Sequence, residues 1–186
     1  MREDAHFEPL VTPRLVLRRS VPSDAERIAL YRSDPDVGRY QGWERTDADA
    51  IREEIVAMSD RQPGAPGGWV QLSVEERDTG TLVGDVGLSP DENDAGVMKI
   101  GYTLAPEFQG RGYAAEAVGA LISYAFDRLG ASVVRAYASA ENLPSIRLAE
   151  RVGMRLMERF EGRDGDHVWH GVRYELARED RPVSME

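Results

Sequence analysis

The residues with the clearest chemical potential are Gln109-Gly110-Arg111-Gly112-Tyr113-Ala114. They follow an apolar segment, Ile100 to Ala105, that reads as a strand, and they open a long amphipathic helix. Strand, glycine-bearing loop and helix start together gather backbone N–H groups around a phosphate. The first helical turn carries unpaired donors and the positive end of the macrodipole. Gly110 and Gly112 let the loop take left-handed conformations and let a ligand approach the backbone closely. Three readings fit the loop. One is a plain glycine-eased turn. A second is a dinucleotide-binding turn, since Gly110-x-Gly112-x-x-Ala115 fits the G-x-G-x-x-G/A fingerprint. That fingerprint belongs to repeated βαβ arrays, and only one βαβ unit is visible here. The third is a pyrophosphate loop of the form Q/R-x-x-G-x-G/A, which Gln109, Gly112 and Ala114 match position by position.

The elements that must position this loop are legible to different degrees. Val118, Leu121, Ile122, Ala125, Phe126 and Leu129 recur at three- and four-residue steps and predict one apolar helical stripe, with Gly130 as its stop. A short strand, Val133 to Ser139, follows. A strand–helix–strand crossover is right-handed and parallel, so the strands before and after this helix flank its start. Upstream, Arg14 to Arg19 alternates as an edge-type strand, and Pro22-Ser23-Asp24 starts a helix reaching about Ser33, capped by Ser23 or Asp24. Thr46-Asp47 starts another helix, carrying Ile51, Ile55 and Met58 at helical spacing. Gln62 to Gly68 is a loop. Val70 to Glu75 and Thr81 to Leu88 read as half-buried strands around an Asp78-Thr79-Gly80 turn, and Pro90 to Ala95 as an acidic turn. Asn142, with Pro144 in the next turn, reads as a helix N-cap.

Three stretches in order carry a resemblance. Thr12-Pro13-Arg14-Leu15-Val16-Leu17-Arg18, then Ile100 through Ala117 with the glycine loop inside it, then Asn142-Leu143-Pro144-Ser145 followed by Glu150-Arg151-Val152-Gly153-Met154. The chain resembles the ribosomal-protein N-terminal (RimJ/RimL-like) branch of the GNAT acetyltransferases along most of its length. The resemblance implies an α/β fold with a mixed, mostly antiparallel sheet of about six to seven strands. A splayed central parallel pair takes the pantetheine arm, and about four helices flank the sheet. It implies one domain over 1–186, with an ordered core of roughly 12–178. It gives acetyl-CoA to Tyr102, Thr103 and Leu104 on the strand, to Gln109, Gly110, Arg111, Gly112, Tyr113 and Ala114 in the loop, and to Asn142 and Ser145. Asn142 would hydrogen-bond the pantetheine or acetyl region, and Ser145 would protonate the departing thiolate. Tyr40, Trp43 and Trp69 would line the acceptor cleft, with plain core packing as their bland alternative.

The chemistry has two requirements. The attacking amine must be neutral, and the developing oxyanion must meet a donor, here a backbone N–H around Thr103 or Leu104. Direct attack needs no enzyme nucleophile. The general base departs from the family pattern: many relatives read Glu-Ile-Gly-Tyr where this chain has Lys99-Ile100-Gly101-Tyr102. A positioned base contributes roughly 10²–10⁴ in rate. Asp85, Glu44 and Asp91 are the substitutes by placement; a water chain, or an altered enzyme, are the alternatives. An α-amine of pKa ~7.8 is about a third neutral near pH 7.5, whereas lysine at ~10.4 is roughly one part in a thousand neutral. A site without a strong base therefore suits a peptide or protein N-terminus first. A small amine is second, and a decayed acyl-CoA-binding module a third reading.

Composition narrows the partners. The 186 residues fit one domain. No cysteine is present, which excludes disulfides and thiolate metal sites. A formal charge of −10 disfavours nucleic acid and would attract a cationic substrate. No apolar run approaches the ~20 residues of a membrane span, and the N-terminus lacks a signal-peptide core, so the expectation is a cytoplasmic protein. Asp166, His167 and His170 do not form a convincing metal set: a three-residue step on a strand splits the histidines between faces. No metal is expected. Arg147 and Arg151 share a helix face and read as solvated, pairing with Glu150 or Glu141. A homodimer is common among similar proteins, and nothing in the chain decides it.

Overall fold

The structure is a computed structural model. It describes residues 7–182 apart from 44, 67, 165 and 166. Its frame is a single eight-stranded sheet in the order β1-β2-β3-β4-β5-β6-β8-β7. The strands are β1 (Leu10–Val11), β2 (Leu15–Arg19), β3 (Val70–Glu76), β4 (Leu82–Pro90), β5 (Val97–Leu104), β6 (Val133–Ser139), β7 (Arg155–Asp164) and β8 (His167–Ala177). Among the described residues only β5 and β6 pair in parallel; the other neighbours are antiparallel. The strand count exceeds the sequence expectation because two-residue β1 pairs with β2, so the Arg14–Arg19 segment is covered rather than an edge.

Among the described residues, five α-helices flank the sheet: α1 (Ala25–Arg32), α2 (Pro35–Gly38), α3 (Ala48–Met58), α4 (Tyr113–Asp127) and α5 (Leu143–Arg151). The four-residue α2 is the one beyond expectation. The stripe of α4 is fully buried from Val118 to Phe126 and meets Leu72, Val74, Val86, Leu88 and Ile100 from one sheet face, with Ala149 of α5 beside it. Burying each such aliphatic side chain contributes about 1.5–3 kcal/mol. Against the other face, Ile28 and Tyr31 of α1 pack with Ile51 and Ile55 of α3. This second layer covers side chains of β3 to β5 that alternation alone would leave in water: Ser73 and Asp85 are buried on that face.

The first helix starts differently from expectation. Pro22–Asp24 is a 3₁₀ turn, and the Asp24 side chain gives α1 no cap. It is drawn instead into a buried cluster, accepting from Arg18 at 2.7 and 2.8 Å, Ser73 at 2.8 Å and the Val21 N–H at 2.9 Å. Burial pushes its carboxyl up, and the bonds from Arg18, Val21 and Ser73 together outweigh it, so the pKa ends below the ordinary value. Stability from Asp24 is therefore present above its unfolded pKa of ~3.9 and lost as pH falls through the lower folded value. Asp24→Asn is expected to lower the melting temperature at neutral pH and to flatten its decline below pH ~4, read by thermal melts across pH.

Candidate active site

Between β5 and β6 the sheet opens. The two strands pair from Val97↔Val133 to Ile100↔Ala136 and then part. From there β5 follows β4 to Leu104↔Gly84, and β6 follows β8 to Ser139↔Gly171. The bond from the Ala105 N–H to Val83 O, 3.0 Å, fixes which β5 residues bond to β4. Alternation along an antiparallel ladder then turns Thr103 and Gly101 toward β4, and Tyr102 and Leu104 into the opening. Of the two candidate donors for an oxyanion, the Leu104 N–H faces the gap and the Thr103 N–H does not.

At the carboxyl end of this pair lies the glycine loop. Ala105 leads into a 3₁₀ turn, Pro106–Phe108, and Gln109 donates from Nε2 back to Leu104 O at 3.1 Å, closing the loop on the strand end. Gly110 and Gly112 have φ of +74° and +82°, which L side chains adopt rarely. Gly112 is the N-cap of α4, with no side-chain cap. The starts of α2, α3 and α5 are each capped, by Asp34, Asp47 and Asn142. At α4 the first intrahelical bond is Glu116 N–H to Gly112 O, 3.2 Å. Among the described residues no acceptor takes the N–H groups of Tyr113, Ala114 or Ala115. A diphosphate fits this donor set without competing with a protein acceptor. The Tyr113 side chain points elsewhere: its hydroxyl donates to Glu76 and its ring stacks on Phe108. The Arg111 guanidinium lies 5.2 Å over the Phe108 ring.

One wall of the opening is built by β5 and α5. Tyr102 Oη lies 2.8 Å from Ser145 Oγ and donates to Ser145 O at 3.1 Å. Burial raises the Tyr102 hydroxyl pKa above the ordinary phenol value, against a smaller opposing effect of Ser145, so it stays protonated. Asn142 caps α5 by accepting from the Ser145 N–H at 3.2 Å. The cap uses its carbonyl oxygen and leaves the amide nitrogen as a donor.

On the opposite face of the sheet sits a chain that sequence reading did not assemble. The Trp69 indole lies over Gly87 and Gly101, where an added Cβ would come within 2.4 and 3.0 Å of the ring. Its Nε1 donates to Gln71 Oε1 at 2.6 Å, and Gln71 and Tyr31 each donate to one oxygen of Asp85. Arg32 Nη2 stands 3.8 Å from Asp85, and the same guanidinium stacks 4.7 Å over Trp43. Trp43, Trp69 and Asp85 are thus drawn into one network. Tyr40, under Arg39 at 5.4 Å, is not part of it. Asp85 is 1% exposed, and burial raises its carboxyl pKa, against Arg32, Tyr31 and Gln71.

The remaining candidates are scattered. Asp91 lies by the start of β5, away from the loop, and pairs with Arg135 at 2.9 Å; its bond from the Asn93 N–H, with help from Arg135, holds its pKa low. Lys99 is half-buried between Ser89 of β4 and Arg135 of β6. Glu44 lies outside the described residues, as do Asp166 and the His167 side chain. His170 is exposed, 3.7 Å from Glu161. Among the described residues no group of three or more potential ligands could hold a metal. Arg147 and Arg151 are exposed as expected, while Glu150 accepts from Tyr174 at 3.0 Å instead of pairing with them. No helix among the described residues is long and apolar enough to cross a membrane.

Comparison with known proteins matches residues 14–155 to the acetyltransferase (GNAT) domain family. The uncharacterised N-acetyltransferase p20 of Bacillus licheniformis is 32% identical over 76% of this chain and 79% of its own. YdaF of Bacillus subtilis, which carries the provisional name of ribosomal N-acetyltransferase, is 29% identical over 92% of each chain. A GNAT-family acetyltransferase structure from Bacillus anthracis superposes with a TM-score of 0.81, covering 92% of this chain and 99% of the other at 24% identity.

Proposed function

Because the chain belongs to the GNAT acetyltransferase family and is an acetyl-CoA-dependent acyltransferase, we propose that its acceptor is the α-amine of a peptide or protein N-terminus. The observation that carries this is the state of the carboxylates. Among the described residues, Asp85 is sealed with both oxygens bonded, and Asp91 is tied to Arg135 away from the loop. Lys99 occupies the strand position where the family resemblance leads one to expect a carboxylate. An acceptor that is already partly neutral suits this site, and an α-amine of pKa ~7.8 meets that need where a lysine at ~10.4 does not. The provisional name of YdaF supports the same acceptor class.

Acetyl-CoA supplies the acetyl group activated as a thioester. The uncapped start of α4 and the N–H groups of the glycine loop hold the diphosphate. Leu104 directs its N–H into the gap to receive the negative charge that develops on the acetyl oxygen. Asn142 offers its amide nitrogen to the ligand. Tyr102 and Ser145, bonded to each other, relay a proton to the departing sulfur and are reprotonated from solvent, which also takes the proton the amine loses on attack. We assign Asp85 to holding Tyr31, Gln71 and, through Gln71, Trp69 in place. Trp69 and Trp43 then flank the face on which the acceptor arrives.

Tyr102→Phe is expected to lower kcat about tenfold with little change in KM for acetyl-CoA. The effect falls below the usual ~10²–10⁴ for proton transfer because a thiol of pKa ~8.5 leaves readily. Ser145→Ala should cost a similar factor, and the double variant little more, since the two act as one unit. Steady-state kinetics on all three read this. The acceptor assignment is tested by thiol release from acetyl-CoA against peptides with free N-termini, N-blocked lysine peptides and small amines. Turnover concentrated on free N-termini supports it. Turnover confined to small amines would transfer the site to that class, and stabilisation by acetyl-CoA with no turnover would favour a binding module.

A further inference from the structure

We propose that Arg14, almost a hundred residues from the loop in sequence, is a positioning residue that sets the glycine loop for a diphosphate. The inference rests on the reading of this loop as the acetyl-CoA site. It starts from an apparent conflict of charge. Glu116 stands in the first turn of α4, where a carboxylate favours a bare helix but repels an anion held by the same turn. Glu116 does not face the loop unpaired. It accepts from Thr12 Oγ1 at 2.6 Å, from the Arg14 N–H at 2.8 Å and from Arg14 Nε at 2.7 Å. The Arg14 guanidinium thus cancels the one acidic charge of that turn.

The same guanidinium has a second hold. Its Nη1 donates to Arg111 O at 2.9 Å. A trans peptide is planar, so the Arg111 carbonyl and the Gly112 N–H point in opposite directions. Pinning the carbonyl on Arg14 therefore turns the Gly112 N–H away from Arg14, adding a donor beside those of the α4 first turn. The guanidinium is also fitted closely: its carbon lies 4.7 Å over the Tyr113 ring, and a Cβ on Gly112 would stand 3.3 Å from Nη2. Arg14 precedes β2, whose ladder with β3 fixes where this side chain departs. One arginine thus neutralises the carboxylate and aims a loop peptide.

The test is the dissociation constant for coenzyme A, read by titration calorimetry at low salt on four proteins. Arg14→Ala is expected to weaken binding about tenfold, the scale of one uncompensated charge a helical turn from a diphosphate. Arg14→Lys should restore part of this, keeping the charge but not the two-armed geometry. Arg14→Ala with Glu116→Gln should bind better than Arg14→Ala alone, because the exposed repulsion is gone. A role limited to holding the fold predicts the reverse order, since the double variant loses more contacts. Coenzyme A binding to the parent that is unchanged in Arg14→Ala, or a double variant no better than the single, overturns the inference alone. Failure of the parent protein to bind coenzyme A overturns the loop assignment and this inference with it.

Discussion

Gly112→Val is expected to raise the dissociation constant for acetyl-CoA by roughly 100-fold, the equivalent of about 2.7 kcal/mol. Three consequences of one side chain add up. Gly112 has φ of +82°, and a β-branched residue there is a backbone outlier costing at least ~1–2 kcal/mol. The new Cβ would press on Arg14 Nη2, 3.3 Å away, and the branched methyl groups have still less room. Relief comes by rotating the peptides on either side, which swings the N–H groups that open α4. The fold itself is expected to survive, because most of the α4 side chains in the core, from Ala117 and Val118 to Phe126, lie well beyond Gly112. Gly112→Ala should show the same effect at about a tenth of the size, since alanine still meets the left-handed backbone cost of about 1 kcal/mol but its single methyl meets only the arginine tip. Calorimetric titration with acetyl-CoA reads both. An affinity within threefold of the parent in Gly112→Val would mean that the α4 start does not hold the ligand.

The second large effect falls on stability. Arg135 is 8% exposed and holds three carboxylates: Glu175 at 2.7 Å, Asp91 at 2.9 Å and Asp94 at 2.9 Å. Removing one partner from such a cluster leaves buried charge uncompensated, which costs about 3–5 kcal/mol. Asp94 is half exposed and can turn to water, so the lower part of that range applies. Arg135→Ala is therefore expected to lower the melting temperature by roughly 6–12 °C in a chain of this size. Arg135 sits where β5 and β6 are still paired, opposite Lys99 and before the strands part. Coenzyme affinity of the folded variant should thus stay within about twofold of the parent. Scanning calorimetry with and without acetyl-CoA separates the two quantities. A loss below ~1 kcal/mol would mean that the cluster is solvated in solution.

What the sequence made legible was local. The glycine loop, the α4 stripe, the stop at Gly130 and the Asn142 cap each depend on residues within a few positions of one another, where periodicity and φ preference speak directly. The parting of β5 and β6 came from the family resemblance and is seen in the ladder, which ends at Ile100↔Ala136. What stayed hidden depends on distant pairings. Gln71 and Ser73 looked like the watered side of a half-buried strand, because alternation cannot reveal that α1 and α3 lie over it. Asp24 looked like a cap, because Arg18 and Ser73 reach it only after β2 and β3 pair. Arg14 looked like a strand residue, and its partners Arg111 and Glu116 lie about a hundred positions away. Asp85 was selected for its placement near the cleft, and its burial under Tyr31 needed the helix layer to be seen. The Leu104 N–H was singled out from Thr103 only by the bond from Ala105 to Val83.

Acceptor choice is decided by an internal competition. A peptide with one free α-amine and one lysine is incubated with the protein and acetyl-CoA near pH 7.5, and the site of acetylation is located by fragment mass spectrometry. Acetyl is expected on the α-amine in at least about tenfold excess over the lysine, since the neutral fractions of the two amines differ by more than a hundredfold. Acetyl predominantly on the lysine would contradict the α-amine assignment, because a base able to deprotonate that side chain would then have to exist in the site.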